Sequence, residues 1–180
     1  MNKTGILWSV PVAVEDIPDT GLHFEIEAPA DARAEVGELA ELRELPQLSA
    51  VFDLTRQGAE VHVVGRVNAR VGQTCVVSLE PVENAVEEPI DVRFAPVPVG
   101  GESVPKSVRK RSTDGDEPPE PLVDATLDLG ALAIEFLILG IDPYPRKAGV
   151  QFAPPKAADE GEHPFAALKA LNKGPGGGRS

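Results

Sequence analysis

Three groups of side chains in this sequence have types and spacing that could do chemistry. The first is a lone thiol, Cys75, in "QTCVVSLEP". A thiolate can attack an electrophile or hold a metal. One cysteine in the whole chain allows no intramolecular disulfide and no cysteine-only metal site. Cys75, Val77 and Leu79 alternate, which places the sulfur mid-strand on an apolar face as a small buried hydrophobe. The second group is Asp128, Glu135 and Asp142, spaced by seven and so near one face of a helix. Paired carboxylates can serve acid–base chemistry if they share a cleft. Asp142 precedes Pro143 and falls outside the helix, which leaves Asp128 as a cap and Glu135 as part of a polar stripe.

The third group is cationic. Tyr144, the one tyrosine, stands between Pro143 and Pro145, with Arg146 and Lys147 directly after it. The prolines pre-order the tyrosine, and two cations beyond a helix end interact favourably with its dipole. His62, Arg66, Asn68 and Arg70 share the polar parity of one strand, with Arg93 on a nearby one. Arginines on a sheet face can follow an RNA backbone. No aromatic for base stacking shares that face, and a solvated surface of Arg–Glu pairs is the competing expectation.

Other chemistries lack their residues. Val99, Gly100 and Gly101 have neither the lysine nor the helix context of a nucleotide loop. His23, His62 and His163 lie far apart, without metal-type spacing, and no G-x-S-x-G elbow occurs. The expectation is a protein that is not an enzyme, with no catalytic residue, no metal and no cofactor.

Charge narrows the partners. The chain carries a formal net charge of -12, and residues 1–100 hold 7 Lys/Arg against 17 Asp/Glu. Non-specific affinity for polyphosphate comes from Lys and Arg displacing counterions, so DNA is not an expected partner. The N-terminus has no long apolar segment, and the apolar run at 129–141 contains Glu135 and is too short to span a bilayer. A soluble, cytoplasmic protein without membrane contact follows. Its oligomeric state is not legible.

The elements that must position these groups can be read from periodicity. "ILWSVPVAVEDI" alternates as a first strand, at an edge because of Pro11. "GLHFEIEA" is a half-buried strand. "DARAEVGELAELREL" has helical spacing, with Asp31 as its N-cap and Gly37 as a weak point. Residues 48–55 and 61–71 alternate on either side of Gln57-Gly58, a hairpin. "QTCVVSLEP" and "AVEEPIDVRFAP" add two strands, and "LVDATLDL" one more. Asp128 then caps "LGALAIEFLILG", apolar almost all round and so the more buried of the helices, which ends at Gly140 as its C-terminal cap. Residues 96–121 have no apolar period and read as a disordered loop carrying the basic run "KSVRKR". Residues 153–180 read as a flexible tail with a short helical island at 163–172, where Phe165, Leu168 and Leu171 offer one face to a partner.

Three blocks together resemble a known family: "VVGRVNARVGQTCVVSLEPVENAVEEPIDVRF" at 63–94, "LGIDPYPRKAGVQF" at 139–152, and "HPFAALKAL" at 163–171. In this order they resemble the YceD-like family of bacterial proteins tied to accumulation of large-subunit ribosomal RNA, in its alphaproteobacterial style. Cys75, Leu79, Glu80 and Pro81 match the first block, and residues 142–147 match the second. Many relatives carry Cys-x-x-Cys where this chain reads Cys75-Val76-Val77-Ser78, so no role of a thiol pair carries over.

The expected fold is α+β: an antiparallel sheet of about six strands and two main helices in one domain, residues 1–152. The resemblance implies a non-enzymatic factor in accumulation, processing or stability of 23S rRNA, or in assembly of the large subunit. Its expected partner is large-subunit rRNA or a ribosome-assembly protein, met by Tyr144, Arg146, Lys147, Arg66, Arg70 and Arg93. The alternative is a protein–protein adaptor that never touches RNA.

Overall fold

The valine alternation at 61–71 forms the centre of the sheet. Strand β4 (Glu60–Thr74) pairs antiparallel with β3 (Glu44–Gln57) on one side and β5 (Pro81–Pro96) on the other. The structure, a computed structural model, describes residues 7–96 and 118–152. Val61, Val63, Val67 and Val71 of β4 are fully buried against Leu48, Phe52 and Leu54 of β3 and Ile90 of β5. Gly65 interrupts the valines opposite Phe52. A Cβ there would run into the Val51 carbonyl oxygen and stand 3.1 Å from the Phe52 ring, so glycine is required by the close approach of the neighbouring backbone as well as by the aromatic side chain.

The sheet extends to β2 (Leu22–Glu27) beyond β3 and to β6 (Glu120–Leu122) beyond β5, in the order β2-β3-β4-β5-β6. All its pairs are antiparallel except the last, where β6 runs parallel to the end of β5. A separate two-stranded ribbon joins β1 (Pro11–Ala13) to β7 (Thr126–Asp128). Helix α1 (Ala30–Leu39) packs on β3, and α2 (Leu129–Gly140) on β5 and β4. The mixed α+β class and the two helices stand as expected. The chain divides into two units, Met1–Ala148 and Gly149–Ser180, and all these elements belong to the first.

Several local expectations are corrected. The first strand shrinks to three residues, because Val14–Asp16 turns as a 3₁₀ helix that buries Val14. Asp31 is not a cap: α1 begins at Ala30, behind Pro29, with no side-chain cap bond, and Asp31 lies in the first turn. The segment around Cys75 is not a strand. β4 ends at Thr74, its register partner Pro81 opens β5, and residues 75–80 are the connection between them. Proline suits a first strand position because it has no N–H to offer the ladder. "LVDATLDL" splits into β6 and β7, since Asp124 and Ala125 take left-handed φ of 53° and 51° and turn the chain from one sheet to the other.

Asp128 does cap α2. Its Oδ1 accepts the amides of Ala131 and Val10, both at 3.0 Å, and its Oδ2 accepts the Ser9 hydroxyl at 2.6 Å. Gly140 is not a C-terminal cap but the last helical residue, with Ile141 after it. Its missing Cβ allows close approach: one would stand 2.7 Å from Val86 Cγ1. Most of the expected loop at 96–121 lies outside the described residues, although Glu120 and Pro121 at its end form strand β6. The tail from 153 also lies outside them, with its island at 163–172 and Phe165, Leu168 and Leu171.

Candidate functional site

The two family-like blocks, some seventy positions apart, meet in space. The β4–β5 connection closes on itself first: the Cys75 amide donates to the Glu80 carbonyl and the Leu79 amide to the Cys75 carbonyl, both at 2.9 Å. Leu79 takes a left-handed φ of 61° to do so. The segment after α2 then docks against this loop. The Val76 amide donates to the Pro145 carbonyl at 2.9 Å, and the Lys147 amide to Cys75 Sγ at 3.3 Å. Lys147 Nζ reaches Glu80 Oε2 at 2.9 Å. At the base, Gln73 Nε2 donates to the Asp142 carbonyl at 2.8 Å, and Gln73 Oε1 accepts from Asn84 Nδ2 at 2.9 Å. Gln73 is the one buried polar residue among the described residues. The result is a clasp of two loops stitched by main-chain and side-chain bonds.

Within the clasp the prolines have different fates. Pro145 is buried, while Tyr144 is 71% exposed. The Tyr144 amide donates to Asp142 Oδ1 at 2.8 Å, a local turn that holds the backbone beneath the exposed ring. Leu79 is 75% exposed and Val76 also protrudes. Arg146 is exposed and carries no ion pair among the described residues. Lys147 does not serve the α2 dipole; its ammonium is bound to Glu80, whose carboxyl that contact holds below the ordinary carboxylate range.

Cys75 is fully buried, as its parity suggests, but it is more than a small hydrophobe. The Lys147 amide, followed by the Ser78 hydroxyl and amide, lowers its pKa to about 6 against the opposing effect of burial. Hydrogen bonds to the charged form favour ionisation. The sulfur is thus the acceptor that joins the two halves of the clasp. With no exposed surface, it is not presented to a substrate.

The sheet cations form a second arrangement. His62 Nε2 lies 2.7 Å from Asp91 Oδ1, Arg66 Nη1 3.3 Å from Glu87 Oε2, and Arg70 Nη1 2.6 Å from Glu83 Oε1. Each of these β4 side chains pairs with the acid two residues before its register partner on β5, a diagonal ladder that repeats every four residues. Arg93 stands opposite His62 in the same strand pair. The structure therefore brings Tyr144, Arg146 and Lys147 together with Cys75 and Glu80, and leaves Arg66, Arg70 and Arg93 on the sheet. Sequence reasoning missed Gln73, Val76 and Asn84 as members of the clasp. Only the joint occurrence of the two blocks pointed to it.

Asp128 and Glu135 line the same groove, yet they make no acid–base pair. Burial alone would raise the Asp128 pKa, but the Ser9 hydroxyl and the amides of Val10, Ala131 and Gly130 outweigh it and keep the carboxyl below its ordinary value. A carboxylate with its oxygens occupied by these donors is a cap and has no proton to give. Among the described residues no three His, Cys, Asp or Glu side chains are placed to share a metal ion. No helix among them is long and apolar enough to cross a membrane.

Residues 63–172 match the family described as Large ribosomal RNA subunit accumulation protein YceD. No curated protein and no solved structure matches the chain. The matched stretch contains β4 from Val63 onward, both halves of the clasp and the whole of α2.

Proposed function

The chain belongs to the YceD family of large ribosomal RNA subunit accumulation proteins, and from that premise we propose that it is a non-enzymatic binding factor that meets 23S rRNA through the clasp. The alphaproteobacterial wording of its two blocks and a cytoplasmic setting, away from membranes and DNA, belong to the same proposal. One observation carries it: an exposed tyrosine on a pinned backbone, two residues from an arginine without an ion-pair partner among the described residues. Aromatic stacking on an unpaired base contributes about 1–3 kcal/mol, and an adjacent guanidinium can take the phosphate. Arg66, Arg70 and Lys147 are weaker candidates, since each already has a carboxylate partner.

The test is a titration of 23S fragments at several salt concentrations. Tyr144→Ala and Arg146→Ala each weaken binding about tenfold, and the second also lowers the salt slope by about one phosphate contact. Arg66→Ala with Arg70→Ala changes it by less than about threefold. Absence of binding at low salt ends the RNA reading. A protein–protein adaptor is then favoured, and its specific support is the exposed Leu79 and Val76 of the clasp, on a chain of net charge -12. In that case Leu79→Asn, which keeps the left-handed turn, weakens association with a ribosome-assembly partner while the fold persists.

A further inference from the structure

Helix α2 is not covered on every side. Leu129, Leu132, Ala133 and Leu137 are buried, but Ala131, Glu135, Ile138 and Leu139 are exposed, at the spacing of one helical face. Leu139 is 69% exposed. Beside this face a groove of about 800 Å³ runs between α2, the end of β5, and β6 with β7. Its apolar lining includes Val92, Phe94, Phe136 and Leu139. Among the described residues its charged lining is acidic apart from Arg93. Asp91 is engaged by His62 and Asp128 by its cap donors. Glu120 and Glu135 are exposed and have no partner among the described residues.

We propose that this groove docks a basic amphipathic segment of a protein partner, with apolar side chains seated on Phe94, Phe136 and Leu139 and Lys or Arg meeting Glu120 and Glu135. Charge complementarity selects this occupant. Two unpaired carboxylates beside an apolar floor, on a chain of net charge -12, repel an anionic ligand and attract a cationic one. An apolar stripe entering a groove while its flanking charges meet the rim is a recurrent mode of peptide recognition. The groove shares no residue with the clasp, so the inference stands apart from the RNA contact proposed above.

The experiment uses the full chain and a fluorescent helical peptide of about four turns, with Leu on one face and Lys on the other. Fluorescence anisotropy at low salt reads its Kd. Glu120→Lys with Glu135→Lys weakens binding at least about tenfold, and Leu139→Ser at least about fivefold. A peptide with Glu in place of Lys does not bind. Tyr144→Ala with Arg146→Ala leaves the peptide Kd unchanged, and Leu139→Ser, which keeps the net charge, leaves RNA binding unchanged, so the two sites fail separately. All substituted positions are exposed, and circular dichroism verifies each fold. The proposal is overturned by no binding of the Lys peptide, by equal binding of the Glu peptide, or by groove variants of unaltered affinity. It is equally overturned if removing residues 153–180 tightens binding, or if sedimentation shows a dimer broken by Leu139→Ser, since the occupant is then this chain itself.

Discussion

The amide of Lys147 points at the sulfur of Cys75, 3.3 Å away and 72 residues along the chain. That bond is one of four contacts, with Val76–Pro145, Lys147–Glu80 and Gln73–Asp142, by which the hairpin holds the helix-terminating segment in place. With the Val76–Pro145 bond it sets where Tyr144 and Arg146 stand.

Titration of this thiol has a defined sign. The folded pKa, about 6, lies below the ordinary cysteine value of about 8.5. A depressed pKa stabilises the fold fully above the unfolded value, and the contribution fades as pH falls through the folded one. Wild type is therefore expected to exceed Cys75→Ala in urea midpoint by the widest margin above about pH 8.5, with the margin shrinking toward about pH 6. Thiolate ultraviolet absorbance of the native protein rises with a midpoint at about 6, and Lys147→Pro, which removes the leading donor, moves that midpoint upward.

Gly140 offers a test of opposite signs. Helix propensity predicts that Gly140→Ala stabilises α2 by about 1 kcal/mol. The new Cβ, however, meets Val86 Cγ1 at 2.7 Å and Glu88 beyond it. Overpacking of this kind costs about 1–3 kcal/mol, so the expected result is a net loss of about 1 kcal/mol in denaturant unfolding. A gain would show that β5 yields to the methyl group.

Asp128→Ala removes a cap and the tie to Ser9 and Val10 together. Loss of an N-cap alone costs about 1 kcal/mol, and about 2 kcal/mol is expected here. Because the Asp128 pKa is held down, its contribution is complete above the ordinary carboxylate range and is lost as pH falls through its lowered value. The wild-type advantage over the variant is expected to vanish in acid and to be constant at neutral pH.

His23 runs the other way. Its hydrogen bonds to Asp53, at 2.7 Å, and to Glu25 raise its pKa. A raised pKa contributes fully below the unfolded value of about 6.5 and is lost as pH rises through the folded one. His23→Gln is therefore expected to cost stability at mildly acid pH and nothing at alkaline pH, read from paired urea curves.

Wherever local physics suffices, the sequence was a reliable guide. Alternating valines at 61–71 make a half-buried strand in any fold that covers one face, and Asp128 before an apolar helix is a cap by its reach to the third amide. Three of the failures share one cause. Cys75 continues the parity of β4, yet parity has no term for a loop that closes by its own amides at Leu79 and Glu80. Ala125 continues an alternation as well, but a left-handed backbone there sends the chain into a different sheet. Gly140 looks like a cap because caps are the local use of glycine, while its actual constraint comes from Val86, which only packing brings near.

By itself the sequence determined the α+β class, the cap of α2, the burial of Cys75 and the kinship of its two marked blocks. Tertiary structure alone decided that those blocks touch, that Lys147 spends its charge on Glu80 while Arg146 stays unpaired among the described residues, and that one face of α2 lines an acidic groove. The reason is physical: periodicity reports which side of an element avoids water, whereas a hydrogen bond spanning 72 positions depends on where two distant loops come to rest.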